Sequence, residues 1–363
     1  MISTIIGTRP EIIKMSRLIP LLDKNFDHRF VFSGQHYSKE MVDIFFEQLK
    51  VRQPNHVLTP GKLEHKPMAS SDYTYLLPAI SNEIRENNPD YVIVYGDTNS
   101  TLAAALAAQK FGKKIIHIEA GLRSFDERMS EELVRILVDH MSELLFVPTD
   151  LESMFLEKEG IKNNKFVVGN TVVDACLYYS DIADKESRIL ENIGLQKDEY
   201  AFATIHRAEN VDSPEKLIKI LRALATLDKQ VVIPMHPRHK KRLNEFGYNV
   251  PSNIKTIEPL GYIDALKIMK NAAYVLTDSG GVQEEAITLK VPCITLRETT
   301  ERWETVSAGA NFLTGIDPRL INYKAKMILG TDVKTKIQNI PNPYGDGKTS
   351  ERITNILLDK LKK

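Results

Sequence analysis

The sequence predicts an α/β fold that is built from two domains, each with a parallel sheet. Short apolar runs alternate along the chain with segments of helical periodicity, which is typical of repeated βα units. The runs are apolar throughout, as expected for parallel strands that are buried on both faces. A chain of 363 residues is too long for one ordinary core, so we expect two domains.

The predicted strands form two series with helices between them. The first series is 2–6, 29–32, 91–94, 115–118, 144–147 and 166–168, and the second is 201–205, 231–234, 254–257, 274–276 and 293–296. The clearest helical patterns are 100–111, 132–141, 214–225 and 264–271. Repeated units of this kind imply right-handed crossovers between neighbouring parallel strands.

A polar segment, 179–197, is the predicted boundary between the domains. It separates a first domain, 1–178, from a second domain, 179–349. The last helix, 350–363, follows a stretch rich in Pro, Gly and Asn, and we expect it to pack back on the first domain.

Composition narrows the class of protein and its partners. The chain is 42% hydrophobic and 26% charged, and 48 Lys and Arg balance 48 Asp and Glu, so neither nucleic acid nor an anionic membrane is an expected partner. No apolar run approaches the roughly 18 residues of a membrane span, and the N-terminus has no basic leader. Cys176 and Cys293 are isolated and have no metal-ligand spacing, so we expect structural thiols, no metal, and a cytoplasmic protein.

Residues 275–285 form the first candidate ligand-binding motif. An apolar run ends at Thr277-Asp278, and Ser279, Gly280 and Gly281 lead into a helix. A helix N-terminus presents backbone N–H groups and a positive dipole end to an anion, so this turn is predicted to bind a diphosphate. Glu285, one turn on, is placed to accept hydrogen bonds from sugar hydroxyls. The alternative is a plain strand–turn–helix joint.

A second motif, 4–14, has a similar form. A strand breaks at Gly7, and Pro10 is well suited to the first position of a helix. Arg9 lies on the turn, where its guanidinium can bind phosphate oxygens, and Lys14 lies one turn into the helix. The alternative for both cations is solvated surface charge. Two such turns suggest two domains that close on one ligand; because neither reads Gly-x-Gly-x-x-Gly, we expect no bound dinucleotide.

Candidate acid–base residues follow the ends of predicted strands. Asp97, Glu119 and His206 occupy such positions, and Glu131 lies in an acidic loop before the helix at 132–141. Each has a structural alternative: Asp97 as a helix N-cap, Glu119 paired with Arg123, His206 as a core histidine, and Glu131 as a first-turn acid. Gathered opposite a diphosphate turn, these groups are typical of proton-transfer machinery.

Taken together, the motifs resemble the UDP-N-acetylglucosamine 2-epimerases, especially the non-hydrolysing type. The matching segments are Gly7–Lys14, Gly96–Thr98, His117–Arg123, Gly169–Thr171, His206-Arg207, Thr277–Glu285, Thr299–Arg302 and Asn342–Gly347. The resemblance implies a GT-B architecture: two Rossmann-like domains with parallel sheets, and an interdomain cleft that holds the active site.

The resemblance also assigns roles to residues. The catalytic set that it implies is Asp97, Glu119, Glu131 and His206, all but His206 in the first domain. Contacts to UDP are implied for Arg9, Ser279, Gly280 and Gly281 at phosphate, for Glu285 at ribose, and for Lys14 and Arg135 as further polar groups. The second domain would then be the UDP-binding domain.

The implied reaction is reversible C2 epimerisation of UDP-N-acetylglucosamine to UDP-N-acetylmannosamine. It proceeds by elimination of UDP to 2-acetamidoglucal and re-addition, needs no cofactor or metal, and would supply cell-surface polysaccharide or glycan synthesis. We also expect a homodimer.

Other functions remain open from the sequence. A hydrolysing epimerase would release UDP and free N-acetylmannosamine, and an epimerase for UDP-diacetamido-glucuronate would more often carry Gln in place of Glu11. A glycosyltransferase shares the fold, and a nucleotide-sugar-binding protein without catalysis is the non-enzymatic alternative.

Two further polar segments contain histidine. Gln35-His36 matches a segment that helps to bind a second, activating UDP-N-acetylglucosamine in bacterial relatives, but Ser38 stands where Gln is expected. We therefore do not expect that allosteric site. Residues 236–239, rich in His and Arg, follow the strand at 231–234.

Overall fold

The computed structural model describes residues 1–34, 46–58, 73–235, 240, 243 and 245–361, except for the side chains of residues 208 and 209. It divides into two compact units. One contains Met1–Ala175 and Tyr344–Lys363, and the other contains Cys176–Pro343. Each unit has a wholly parallel sheet with the strand order of a doubly wound fold.

The sheet of the first unit has the order β3-β2-β1-β4-β5-β6-β7 within the described residues. Its strands are β1 Ile2–Ile6, β2 His28–Phe32, β3 His56–Val57, β4 Tyr91–Tyr95, β5 Lys114–Ile118, β6 Leu144–Val147 and β7 Lys165–Val167. Its helices are α1 Arg9–Met15, α2 Ile19–Asn25, α3 Tyr73–Asn87, α4 Asn99–Lys110, α5 Ser130–Met141, α6 Asp150–Lys158 and the start of α7 Thr171–Glu186; α16 Thr349–Leu361 belongs to the same unit.

Burial on both faces explains why these strands lack alternation. All five residues of β1 are buried. The alanines of α4 let this helix pack closely on the sheet and on α3, in a core that includes Leu76, Ile80 and Val94. The close packing fixes the carboxyl ends of β1, β4 and β5, where the polar motifs follow.

The C-terminal helix α16 packs against α2 within the first unit. Its buried residues include Ile353 and Leu357. The Asp174 carboxylate accepts hydrogen bonds from the backbone N–H groups of Thr349 at 3.0 Å and Ser350 at 2.6 Å, which caps the start of the helix.

The predicted linker at 179–197 is wrong for most of its length. Helix α7 continues through it to Glu186, and α8 Ile189–Ile193 follows. Polar residues on the exposed side of α7 gave the segment its linker-like composition, whereas Tyr179 and Ala183 are buried.

The sheet of the second unit has the order β10-β9-β8-β11-β12-β13. Its strands are β8 Tyr200–Thr204, β9 Gln230–Pro234, β10 Ile254–Ile257, β11 Tyr274–Thr277, β12 Cys293–Thr295 and β13 Asn311–Leu313. Its helices are α8, α9 Ala208–Val211, α10 Pro214–Ala225, α11 Tyr262–Asn271, α12 Gly280–Thr288, α13 Trp303–Ser307, α14 Pro318–Gly330 and α15 Val333–Asn339.

The α/β prediction and the two parallel Rossmann-like sheets of the GT-B architecture are confirmed. Every predicted strand is present. The sequence missed β3 and β13, which are edge strands of only two and three residues. In the part of the chain that the structure describes, no helix is both long and apolar enough to span a bilayer.

Candidate active site

The predicted site residues lie at equivalent positions of the two sheets. In the first unit they follow β1, β4 and β5, which are adjacent in the sheet; in the second they follow β8 and β11, which are also adjacent. Both sheets reverse their strand order at these positions, between β1 and β4 and between β8 and β11. Ligands of doubly wound folds bind at such a switch point, beyond the carboxyl ends of the strands.

Glu119 is held by three side chains from different elements of the first unit. Lys14 Nζ lies 2.7 Å from Glu119 Oε2 and 3.0 Å from Oε1. The Tyr95 hydroxyl and the Asn170 amide each donate to Oε2 at 2.9 Å. The alternative in which Glu119 pairs with Arg123 is not among these contacts, and Lys14 is a buried partner rather than a solvated charge.

The backbone of Glu119 adopts a left-handed conformation with φ of 68°. This region is unfavourable for a residue with a Cβ atom. The next residue donates its N–H to Phe146 O on β6 at 3.1 Å, so neighbouring contacts hold the turn. Strain of this kind is often found at functional sites.

Asp97 follows β4 and pairs with Arg135 of α5. Arg135 Nη1 donates to Asp97 Oδ2 at 2.5 Å, and Nε donates to Glu132 Oε2 at 3.2 Å. Asp97 is not the N-cap of α4, because Thr98 caps that helix. Arg135, predicted to contact substrate, is buried and joins two carboxylates.

Glu132, which was not among the predicted site residues, is the buried acid of the loop before α5. It accepts hydrogen bonds from the backbone N–H groups of Ser124 and Phe125, both at 3.0 Å. Burial alone would raise the pKa of Glu132, but the Arg135 guanidinium and the Ser124 donors outweigh it and lower the pKa. Glu131 lies in the first turn of α5, partly exposed, with the Ser130 hydroxyl 3.3 Å from its carboxylate.

A buried histidine and aspartate support the turns that carry Asp97 and Glu119. His117 Nδ1 lies 2.7 Å from Asp139 Oδ1, and His117 Nε2 lies 2.8 Å from the carbonyl oxygen of Gly96. Arg123 binds the other oxygen of Asp139 at 2.8 Å. Burial acts to raise the pKa of Asp139, but His117 and Arg123 together hold it below its usual value.

The turn after β1 is organised by Glu11. Glu11 Oε2 accepts hydrogen bonds from the backbone N–H groups of Gly7 at 2.8 Å and Thr8 at 2.7 Å, and Oε1 accepts one from the Thr98 hydroxyl at 3.0 Å. Glu11 is therefore the acid of a capping box on α1. Arg9 lies in the first turn of α1, half-buried, and burial lowers its pKa.

In the second unit, Asp278 organises the segment that begins with His206. The Asp278 carboxylate accepts from the backbone N–H groups of His206 and Arg207, both at 3.1 Å, and from the Asn210 amide at 2.9 Å. His206 Nδ1 lies 2.9 Å from the same carboxylate, yet 61% of the His206 side chain is exposed. His206 is therefore not a core histidine. Its ring is oriented by a buried acid and presented to solvent.

The Asp278 carboxylate is fully buried. Burial acts to raise its pKa, but the hydrogen bonds from His206, Asn210 and Arg207 more than compensate, and the pKa is lowered. An ionised Asp278 is thus compatible with its buried position.

The predicted anion-binding turn is the N-terminus of α12. Ser279 is the N-cap, with an extended backbone and no side-chain cap hydrogen bond, and Gly280 and Gly281 form the first helical positions. A Cβ atom on Gly280 would stand 2.2 Å from Glu301 Oε1, so a larger residue here would displace the Glu301 carboxylate. The turn is further fixed by Gln283, which donates to Ser279 O at 3.1 Å.

Glu285 lies on α12, partly exposed, near two buried groups of the same unit. Burial raises the pKa of Tyr262, and the nearby Glu285 carboxylate raises it further. The Cys176 thiol lies 3.9 Å from the Glu285 carbonyl oxygen. Glu284, one position earlier, is buried and points to Arg302, with Oε1 and Nε 3.1 Å apart, so Glu285 is the less buried residue of this acidic pair.

Two polar segments of the sequence lie outside the described residues. These are Gln35, His36 and Ser38, together with the segment 236–239. Among the residues that are described, no group of three or more His, Cys, Asp or Glu side chains is placed to hold a metal ion.

Comparison with known proteins identifies the family. The family model described as UDP-N-acetylglucosamine 2-epimerase matches residues 21–358. The UDP-N-acetylglucosamine 2-epimerase of Methanocaldococcus jannaschii is 46% identical, with 98% of each chain covered. The UDP-2,3-diacetamido-2,3-dideoxy-D-glucuronate 2-epimerase of Pseudomonas aeruginosa is 40% identical, with 98% of this chain and 99% of the relative covered.

A solved structure gives the same result for the fold. The crystal structure of the Methanocaldococcus jannaschii enzyme in complex with UDP-GlcNAc and UDP has a TM-score of 0.89 at 44% identity, with 99% of each chain covered. On the strength of the nearly full-length match and these identities, this chain belongs to the UDP-N-acetylglucosamine 2-epimerase family.

Proposed function

We propose that this protein is an isomerase that inverts C2 of UDP-N-acetylglucosamine to give UDP-N-acetylmannosamine without net hydrolysis. Family membership and the carboxylates at the carboxyl ends of β4 and β5 support the proposal. Glu119 is the observation that carries it: a buried acid on a strained turn, held by side chains of three other elements.

The chemistry requires proton transfer at a carbon that is not acidic by itself. In the proposed first half-reaction, the C1–O bond to UDP breaks and a carboxylate removes the C2 proton. The C–H electron pair becomes the C1–C2 double bond, and the products are UDP and 2-acetamidoglucal. In the second half-reaction UDP adds to C1, and C2 receives a proton on its opposite face.

The residues of the first unit would transfer these protons. Asp97, Glu119 and Glu131 are proposed as acid–base groups, and Arg135 would fix Asp97 through its short contact. Removal and delivery on opposite faces of the ring require at least two groups. Because adjacent carboxylates disfavour each other's ionisation, such a pair can share a proton between the half-reactions.

The residues of the second unit would bind the departing UDP. Negative charge develops on the diphosphate as the C1–O bond breaks, so donors at the α12 N-terminus lower the transition-state energy. We assign diphosphate contacts to Ser279, Gly280 and Gly281, a charge-stabilising role to His206, and ribose hydroxyls to Glu285. Arg9 is assigned to phosphate as well.

Proton NMR of the purified protein with UDP-N-acetylglucosamine in D₂O tests the proposal. We expect UDP-N-acetylmannosamine to appear with deuterium at C2. Product that keeps its original hydrogen at C2 would contradict elimination with solvent exchange. Accumulation of UDP and free N-acetylmannosamine would instead identify a hydrolysing enzyme.

The diacetamido-glucuronate sugar is a second candidate substrate. A relative of 40% identity carries that name. The sequence argument against it depended on Glu11, but the contacts of Glu11 cap α1 and reach Thr98 rather than mark a sugar position. The same NMR assay with UDP-diacetamido-glucuronate decides between the substrates by the ratio of kcat/KM values.

We also propose that the protein is a homodimer. Helices α4 and α5 pack on each other, and both expose large apolar side chains: Leu106 on α4, and Leu133 and Leu137 four residues apart on α5. Exposed apolar surface of this kind is typical of an association surface. Light scattering should give twice the chain mass, and Leu133→Glu should shift it to the monomer.

A further inference from the structure

The two oxygens of the Glu119 carboxylate have different surroundings. Oε2 lies within 3.0 Å of three donors, which are Lys14 Nζ, the Tyr95 hydroxyl and the Asn170 amide. A carboxylate oxygen offers about two acceptor positions, so Oε2 is fully occupied. Oε1 is bound by Lys14 at 3.0 Å and faces Gly96, where a Cβ atom would stand 3.6 Å from it.

We propose that Tyr95 and Asn170 are positioning residues of the epimerisation. They fix Oε2 of Glu119, so that the proton is exchanged through Oε1, on the side of Gly96 and Asp97. The inference rests on the proposed function, because it assigns a task to residues that support the Glu119 acid–base group.

Tyr95 is held in place on every side. It is the last residue of β4, and its ring is buried, with Lys14 Nζ 5.4 Å from the ring centroid. Its hydroxyl also lies 3.1 Å from Asn170 Oδ1 and 3.1 Å from Thr171 Oγ1. The hydroxyl has one hydrogen and three oxygen neighbours. The charged Glu119 carboxylate is the strongest acceptor of the three, so we expect the hydrogen to point to it.

The orientation of the Asn170 amide follows from its contacts. Its Oδ1 accepts the backbone N–H of Val172 at 3.2 Å, which requires the carbonyl end of the amide on that side. The NH₂ end therefore faces Glu119. The Asn170 backbone N–H donates to the carbonyl oxygen of Tyr344 at 2.8 Å. The C-terminal segment of the first unit therefore helps to hold the backbone of Asn170 in place.

The strained backbone of Glu119 gives the reason for such support. A left-handed glutamate persists only where its surroundings over-determine its conformation. Lys14 alone could satisfy the charge, but one flexible ammonium does not fix the rotation of a carboxylate. Two neutral donors, one from β4 and one from the residue before α7, define the plane of the carboxylate and thus the direction in which Oε1 points.

The test compares Tyr95→Phe and Asn170→Asp with the control Tyr91→Phe, which makes the same change at the opposite end of β4. Tyr95→Phe keeps the ring, and Asn170→Asp keeps an oxygen for the Val172 N–H. The readouts are kcat, KM, C2 exchange in D₂O from pH 5 to 9, and UDP affinity by calorimetry. Circular dichroism checks that each variant is folded.

We expect Tyr95→Phe to lower kcat about tenfold and Asn170→Asp about a hundredfold, with UDP affinity unchanged. The acid limb of the kcat profile should move to higher pH in both, because each variant loses a donor to the ionised carboxylate. A tenfold effect on that ionisation corresponds to about one pH unit. Tyr91→Phe should match the wild type.

Folded variants with wild-type kcat and an unmoved acid limb would overturn the positioning role. If Tyr95→Phe does not fold, Asn170→Asp decides alone. Wild-type protein without C2 exchange on either nucleotide sugar would instead overturn the proposed function, and the present inference with it. Exchange in the wild type with unaltered variants would overturn the inference only.

Discussion

Arg135 offers a sharp test of how Asp97 is held. Its guanidinium contacts Asp97 through Nη1 and Glu132 through Nε and Nη2, so one planar group joins two carboxylates. Lysine at this position keeps the charge but brings one ammonium instead of a fork of donors. Arg135→Lys can therefore satisfy one carboxylate well, but not both.

The structure indicates which contact is lost. The Glu132 side chain is 6% exposed and that of Asp97 is 30% exposed, so an unpaired Glu132 would cost more, and the ammonium should stay with it. A hydrogen bond to a charged partner contributes about 1.5–3 kcal/mol. Because water partly screens Asp97, we expect about 1–2 kcal/mol for the lost contact. If transition-state stabilisation falls by this amount, kcat falls about five- to thirtyfold.

Arg128→Lys is the matched control. Arg128 makes the same kind of two-pronged contact, with Nε and Nη2 each 2.8 Å from Asp126, but 74% of its side chain is exposed. Exposed pairs contribute about 0–1 kcal/mol. Urea unfolding and C2 exchange in D₂O should thus separate the two variants. Equal stability and equal kcat for Arg135→Lys and Arg128→Lys would refute the view that Arg135 positions Asp97.

Three further predictions address the acids of both units. Asp97→Asn and Glu119→Gln should each lower kcat strongly and leave UDP affinity nearly unchanged by calorimetry; near-wild-type turnover would remove both from the catalytic set. Glu285→Gln should weaken UDP binding about ten- to hundredfold, and the variant should bind 2′-deoxy or 3′-deoxy UDP analogues almost as well as it binds UDP. The affinities of wild type and variant for UDP and for the deoxy analogues form a thermodynamic cycle; strictly additive losses in it would show that Glu285 does not touch ribose. Asp139 has a lowered pKa in the folded state, so its stabilisation is present above the unfolded pKa of about 3.9 and is lost as the pH falls toward the folded value. In Asp139→Asn the free energy of unfolding, measured by urea titration, should therefore fall less steeply as the pH is lowered. The same slope against pH as in the wild type would contradict this.

The strands and the two-domain organisation could be predicted because their signals are local. Uniformly apolar runs of four or five residues specify buried parallel strands, and β1 and β4 have the predicted pattern of burial. The edge strands β3 and β13 are too short for such a signal. The linker prediction failed at α7 because polar composition alone does not separate an exposed helix face from a loop.

The site was only partly predictable because its contacts are non-local. Asp97, Glu119 and His206 could be proposed from their positions at strand ends, but the contacts of Tyr95, Asn170 and Asp278 are with partners that lie far away in the sequence. Helical phase alone does not separate Glu131 from Glu132. Glu131 lies four residues before Arg135 and seven before Val138, which are buried on the same side of α5 as Glu132 and Asp139, yet Glu131 is partly exposed and Glu132 is buried.

Glu11 and Glu119 show how the origin of a carboxylate's partners separates a structural acid from a functional one. Glu11 follows a strand, is buried, and accepts hydrogen bonds at Oε2 from the backbone of its own turn, three and four residues away, while Oε1 accepts one from the distant Thr98 hydroxyl. The contacts to Oε2 form with the helix that they cap, so the capping of α1 explains that oxygen. Burial raises the pKa of Glu11 more than the hydrogen bonds from Gly7, Thr8 and Thr98 lower it.

The side chains that hold the Glu119 carboxylate are distant in the sequence. Its partners lie 24, 51 and 105 residues away in the sequence, and its backbone is left-handed. Ordering these side chains around one acid costs conformational entropy, and an apolar residue of similar volume would avoid both that cost and the desolvation of a charge. The arrangement is therefore better explained by a role of the carboxylate in proton transfer than by a role in stability. A functional acid of this kind requires that Glu119→Gln lowers kcat selectively.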